Sequence, residues 1–114
     1  MTDTAATFAV SATLDRSLAE PFRAGRIQWL RPPGSGERDT LAAGFWYVGP
    51  DDMPPHTEVV LHIDETVVII EGRIHIEIAG VEHELTAGSA LSVNAGATTY
   101  WTVLEPTVEF FVYS

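Results

Sequence analysis

Apolar and polar residues alternate with a period of two along much of the second half of the chain. In the run Arg73–Ala79, Ile74, Ile76 and Ile78 share one face while Arg73, His75 and Glu77 share the other; in Val81–Leu85, the residues Val81, His83 and Leu85 oppose Glu82 and Glu84. Successive side chains of a strand point to opposite faces, so the pattern predicts half-buried strands with one face on a core. Shorter runs at Arg26–Leu30, Leu41–Val48, Thr57–Ile63, Thr66–Ile70, Ala90–Val93, Thr98–Leu104 and Thr107–Tyr113 also read as strands, and from Thr57 onward they are separated by a few residues that include Gly, Asp, Ala or Pro. Val67 to Ile70 is apolar on both faces, which predicts a strand covered on its outer side as well, by a second copy of the chain. The expected assembly is a homodimer.

The connecting segments fit this reading. Pro21 and Gly25 interrupt any helix between Leu18 and Leu30, Arg31-Pro-Pro-Gly-Ser-Gly-Glu37 is a turn-rich loop, and so is Gly49-Pro-Asp-Asp-Met-Pro-Pro55. Residues 1–15 are small, polar and weakly patterned, and are expected to form an arm that is loose alone or docks on a partner barrel. Many short strands without intervening helices predict an all-β, antiparallel sandwich or barrel, and eight or more closed as a double-stranded jelly roll would leave few edges. At 114 residues the chain is read as a single domain, 1–114.

The sharpest signal is the spacing of one acid and three glycines: Glu65, six residues, Gly72, then Gly88, five residues, Asn94-Ala95-Gly96. Glycine enters the φ > 0 region cheaply, so each marks a tight turn between strands. At these residues the chain resembles the cupin superfamily of RmlC-like jelly rolls, whose two motifs end in Glu-x6-Gly and Gly-x5-Pro-x-Gly-x2-His. Asp64-Glu-Thr-Val-Val-Ile-Ile-Glu-Gly72, Ala87-Gly88 and Trp101-Thr-Val-Leu-Glu-Pro106 carry a likeness to the small cupin family similar to ethanolamine-utilisation cupins and ureidoglycine aminohydrolases. The resemblance covers roughly residues 44–114 and extends weakly through Gly44-Phe-Trp46.

In metal-binding cupins the resemblance implies two histidines one residue apart, a glutamate after them, and a last histidine beyond the final glycine, converging on Mn, Fe, Ni or Zn. With Gly72 as anchor, Glu65 takes the glutamate position, but the histidine positions fall on Val59 and Leu61, or on Glu58 and Val60 if the spacing is one longer. Thr99 stands where the last histidine belongs, and Asn94 replaces the proline. One ligand in four survives, so no standard metal and no cofactor is expected, and Val59, Leu61, Glu65, Thr99, Trp101 and Trp46 are expected to line a mostly apolar pocket for a small organic molecule. The rival placement is His56, Glu58 and His62, which have the relative spacing of a metal triad. Their register to Gly72 is wrong by an odd number, so they should point out of the barrel unless a bulge resets the frame. That alternative implies a metal-dependent enzyme resembling ureidoglycine aminohydrolase or a cupin isomerase.

Composition narrows the rest. Cysteine and lysine are absent, which removes disulfides, thiolate nucleophiles, Schiff bases and a phosphate-loop lysine. Five of the six arginines (Arg16, Arg23, Arg26, Arg31, Arg38) lie in the first 38 residues, leaving Arg73 against twelve acids, and the net charge of −10 makes nucleic acid an unsuitable partner. No apolar run is long enough to span a bilayer and the start lacks a basic signal region, so the reading is cytoplasmic and free of membrane. Glu65 facing an apolar interior would have a raised pKa and is the candidate catalytic acid, although no second acid is expected near it on the inward face. His75 reads as solvated and His83 as half-buried, while Trp46, Tyr47, Tyr100 and Trp101 fall on the two strands that the cupin resemblance implies around the barrel mouth.

Overall fold

The period-two segments close into two facing antiparallel sheets. The computed structural model describes residues 8–114. The strands are β1 (Glu20–Pro21), β2 (Arg26–Arg31), β3 (Ala42–Val48), β4 (Thr57–Val60), β5 (Glu65–Glu71), β6 (Arg73–Ile78), β7 (Val81–Thr86), β8 (Ala90–Val93), β9 (Thr98–Val103) and β10 (Thr107–Tyr113). They form a six-stranded sheet, β1-β2-β3-β10-β5-β8, and a four-stranded sheet, β4-β9-β6-β7. The architecture is the all-β jelly roll the sequence predicts. Strands β8 and β10 have the predicted bounds, β2, β3, β5, β6, β7 and β9 differ from theirs by one residue at one or both ends, β4 ends three residues early, and the two-residue β1 was not foreseen.

The core lies between the sheets. Ile74 and Ile76 of β6, fully buried, meet Ile27, Val67, Ile69 and Phe111 from the larger sheet, with Trp101 and Val103 of β9 closing the layer. Burying each aliphatic side chain stabilises the fold by about 1.5–3 kcal/mol. On the outer side of β5, where a covering partner was expected, Thr66 is exposed, Val68 half-buried and Ile70 38% exposed in the single chain.

Part of the expected arm lies outside the described residues, since it begins at residue 1. From residue 8 it runs over its own sheet, and Gln28 of β2 holds it at both polar ends of its amide. The Gln28 Nε2 donates to the Thr13 carbonyl and its Oε1 accepts from the Asp15 backbone N–H, each at 2.9 Å. Tyr47 adds a hydroxyl to the same Oε1 at 3.2 Å. An amide so satisfied can be buried without cost to the sheet, which explains why a glutamine 4% exposed sits in β2.

Gly72 joins β5 to β6 with φ 96°. A Cβ there would meet the Pro106 carbonyl oxygen and lie 2.6 Å from Thr107 Cα, so the turn needs both the left-handed conformation and the missing side chain. Gly72→Ala is therefore expected to destabilise the fold by about 3 kcal/mol or more, measured as a lower urea midpoint. A loss under about 1 kcal/mol would show that the 105–107 segment moves aside freely.

Candidate functional site

Strand β10 builds the site because its inward positions are not all hydrocarbon. Glu109, Phe111 and Tyr113 alternate along one face; Tyr113 pairs with Glu65 of β5, and Glu109 pairs with Trp46 of β3 on one side and Ile69 of β5 on the other. A register shift between Val108 and Glu109 brings Glu71 rather than Ile70 opposite Val108, leaving Ile69 and Glu109 both inward and nearly fully buried. These groups face a cavity of about 490 Å³. Its walls are Trp29, Trp46, Phe111 and Phe22 from the larger sheet and its rim, and Val59, Leu61 and Trp101 from the smaller sheet and the segment after β4. Glu65, Glu109 and Tyr113 are the polar side chains of the larger sheet in the lining, and Arg23 and His62, both exposed, also border the space.

The indoles are fixed in place. Trp46 Nε1 donates to the Ala24 carbonyl at 2.7 Å, and Trp101 Nε1 donates to Thr99 Oγ1 at 2.7 Å, whose own hydroxyl donates to the Val59 carbonyl at 2.7 Å. With their N–H groups satisfied, the two rings meet edge to face, centroids 5.9 Å apart, and contribute π surface rather than hydrogen bonds.

The acids are in the opposite condition. Burial pushes Glu65, 7% exposed, up to about 7. Glu109, 1% exposed, is held well above the usual carboxylate range, first by burial and then by the neighbouring Glu65 charge. Its Oε1 has no hydrogen-bond partner. Burial also raises the Tyr113 phenol, reinforced by Glu65 and Glu109 and opposed by Arg23. A low-dielectric chamber disfavours each charged form, and none of the described residues hydrogen-bonds to the orphaned oxygen.

Val59, Leu61, Glu65, Trp101 and Trp46 line the cavity. Thr99, expected beside them, does not: it is fully buried and its hydroxyl is consumed between Trp101 and Val59. The inward positions where metal-binding cupins place imidazoles thus present two aliphatic side chains and an occupied hydroxyl, and the four-ligand set does not fit. The rival triad is not assembled either. His56 stacks on Tyr100 at 4.5 Å and lies 3.5 Å from Glu77, Glu58 pairs across from Tyr100 on that same outer face, and His62 alone turns to the cavity. Among the described residues no three histidine, aspartate or glutamate side chains gather as a metal site. The odd register puts Glu58 of β4 outside, as the period of two demands, and His56 in the turn before it lies on the same side; His62, which the same phase would turn outward, borders the cavity because the chain leaves the strand after Val60.

Glu109 and Tyr113 are the residues sequence reasoning missed. Their signal was present: a single acid between Val108 and Phe110, in phase with Phe111 and Tyr113, in a strand with no other charge.

The two sheets, their turns and this interior define a cupin-type barrel. The chain belongs to the family of the EutQ-like cupin domain, whose profile matches residues 36–110. No curated protein matches the sequence. Among solved structures, the chain is similar to a protein described as ethanolamine utilization protein Q from Salmonella typhimurium LT2, with TM-score 0.66 and 18% identity over 89% of this chain and 83% of that one. EutQ of Clostridium difficile superposes with TM-score 0.64 at 18% identity, over 77% of this chain, which spans 65% of that protein's chain. An RmlC-like cupin of Shewanella frigidimarina gives 0.63 at 19%, over 84% and 81%. At these identities the likeness is one of fold.

The buried acids make a pH prediction. Glu65 binds its proton more tightly folded than unfolded, so between its ordinary 4.5 and about 7 the native state carries the extra proton and stability falls as pH rises. At roughly 1.4 kcal/mol per tenfold change in proton affinity, Glu65 accounts for on the order of 3 kcal/mol. Urea unfolding followed from pH 5 to about 8 is expected to show that decline in the native chain and a flatter profile in Glu65→Gln. A native profile that rises across this range contradicts the assignment.

Proposed function

We propose that the chain is a binding protein for a small organic molecule, received in the barrel cavity without a bound metal. The observation that carries this reading is the cavity itself: about 490 Å³, walled by indole, phenyl and aliphatic groups, with a few convergent polar side chains. Ligand sites of small molecules have this size and this ratio of apolar wall to polar anchor. Rigid indoles exclude water and supply contact area, while Glu65, Glu109 and Tyr113 fix orientation.

A second reading is supported by one feature. An interior carboxyl with a pKa about 7 beside a more firmly protonated one is the arrangement that lets one acid give or take a proton at neutral pH. On that reading Glu65 transfers a proton at a bound ligand and the chain is an enzyme.

Thermal-shift and tryptophan-quenching screens with small carboxylates, ureides, sugars and amines test the binding reading. At least one class is expected to raise the melting temperature saturably and to quench emission, and Trp101→Ala is expected to weaken that ligand about tenfold or more. If no organic compound binds while a divalent ion is retained in stoichiometric amount by elemental analysis, the metal-free reading is wrong.

A further inference from the structure

We propose that the ligand of this cavity is an organic cation, an ammonium group held by the carboxyl groups of Glu65 and Glu109 with its hydrocarbon body against the indoles of Trp46 and Trp101. The inference rests on the binding reading above and adds the chemical class.

The hydrogen-bond inventory of the interior leads to it. The indole N–H groups of Trp46 and Trp101 are already spent on Ala24 and Thr99, and the polar groups that the larger sheet's β5 and β10 present to the cavity are two carboxyl groups and the Tyr113 hydroxyl, which can accept or donate; Trp29 and, at the rim, Arg23 also line the space. Each carboxyl group, once ionised, accepts only, and calls for a donor. The Glu109 Oε1, buried and unpartnered in a residue 1% exposed, is the atom most in need of such a donor. Aromatic walls suit a cation specifically, since the negative face of an indole attracts an ammonium by about 0.5–2 kcal/mol in addition to its packing. A metal ion is a poorer match, because two carboxylates and a phenol among hydrocarbon fall short of the four to six donors it requires, and no third histidine, aspartate or glutamate joins them among the described residues. The net charge of −10 favours approach of cations over anions.

Entry of the cation exchanges charge. Burial keeps protons on Glu65 and Glu109; a single ammonium balances one negative charge, so its entry expels one proton from the pair, and the carboxyl that keeps its proton accepts through its carbonyl oxygen. The groups bearing on this exchange are Glu65 on β5, Glu109 and Tyr113 on β10, and Arg23 and His62 in the loops that border the cavity.

Benzylamine, benzyl alcohol and benzoate are near-isosteres that differ in charge, and isothermal titration of the full chain with each separates the possibilities. Benzylamine is expected to bind about tenfold more tightly than the alcohol, with affinity rising from pH 6 to about 8 and proton release revealed by buffers of different ionisation enthalpy. Glu109→Gln and Glu65→Gln, checked for folding by near-ultraviolet circular dichroism, are each expected to lose about tenfold or more in benzylamine affinity. Equal or tighter binding of benzyl alcohol or benzoate overturns the cation assignment and leaves the binding reading standing, as does unchanged benzylamine affinity in both glutamine variants. No saturable uptake of any of the three up to about 10 mM overturns the cation assignment, and the wider screen then decides the binding reading independently.

Discussion

The pairing of β10 between β3 and β5 is the constraint on which the molecule depends. All seven residues of the strand oppose β3, and six of them oppose β5, so β10 ties the two halves of the larger sheet together and fixes every inward side chain by register. A slip of one residue would turn Glu109, Phe111 and Tyr113 outward and put Val108, Phe110 and Val112 in the cavity. The same ladder that stabilises the fold therefore sets the chemistry of its interior, and the irregularity beside Val108 lets β5 return to phase just where Gly72 must turn the chain.

Placing two acids there runs against stability. Glu65 and Glu109 would be better replaced by apolar residues if folding were the only demand, because neither is ion-paired among the described residues and burial raises the proton affinity of both. The surrounding structure offsets this with a dense aliphatic layer, Ile27, Ile69, Ile74 and Ile76, on the closed side of the barrel, and with indoles whose own polar atoms are fully satisfied. Local stability given up at a cavity and recovered elsewhere is the usual mark of a site that handles a ligand.

The fold was largely legible because its signals are local. Period-two alternation in β6 and β7 and the glycines at 72, 88 and 96, all of positive φ, follow from single-residue geometry and needed no tertiary information. The site was legible in part. Glu65, Val59, Leu61 and Trp101 could be placed by counting from Gly72 or by shared phase, and Trp46 by the cupin resemblance, but Glu109 lies at the far end of the chain in a strand apolar on both sides, where sequence cannot say which face is inward. Thr99 was in the right phase and still does not line the cavity: it is fully buried, its hydroxyl held between the Val59 carbonyl and the indole of Trp101, a neighbour the same phase had placed beside it. The arm could not be placed at all from its composition; a distant amide, Gln28, decides where it lies.

The short turn from Phe22 to Gly25 borders the cavity and is fastened at several points: Phe22 N–H to the Gly25 carbonyl at 3.1 Å, the Ala24 carbonyl to Trp46, and Gly25 in tight approach to the Tyr47 backbone. These backbone anchors belong to β3 or to the turn itself, and Phe22 also packs edge to face on Trp29 of β2. On the proposed binding reading, this edge of the rim would meet an entering ligand as backbone already tied to the sheet.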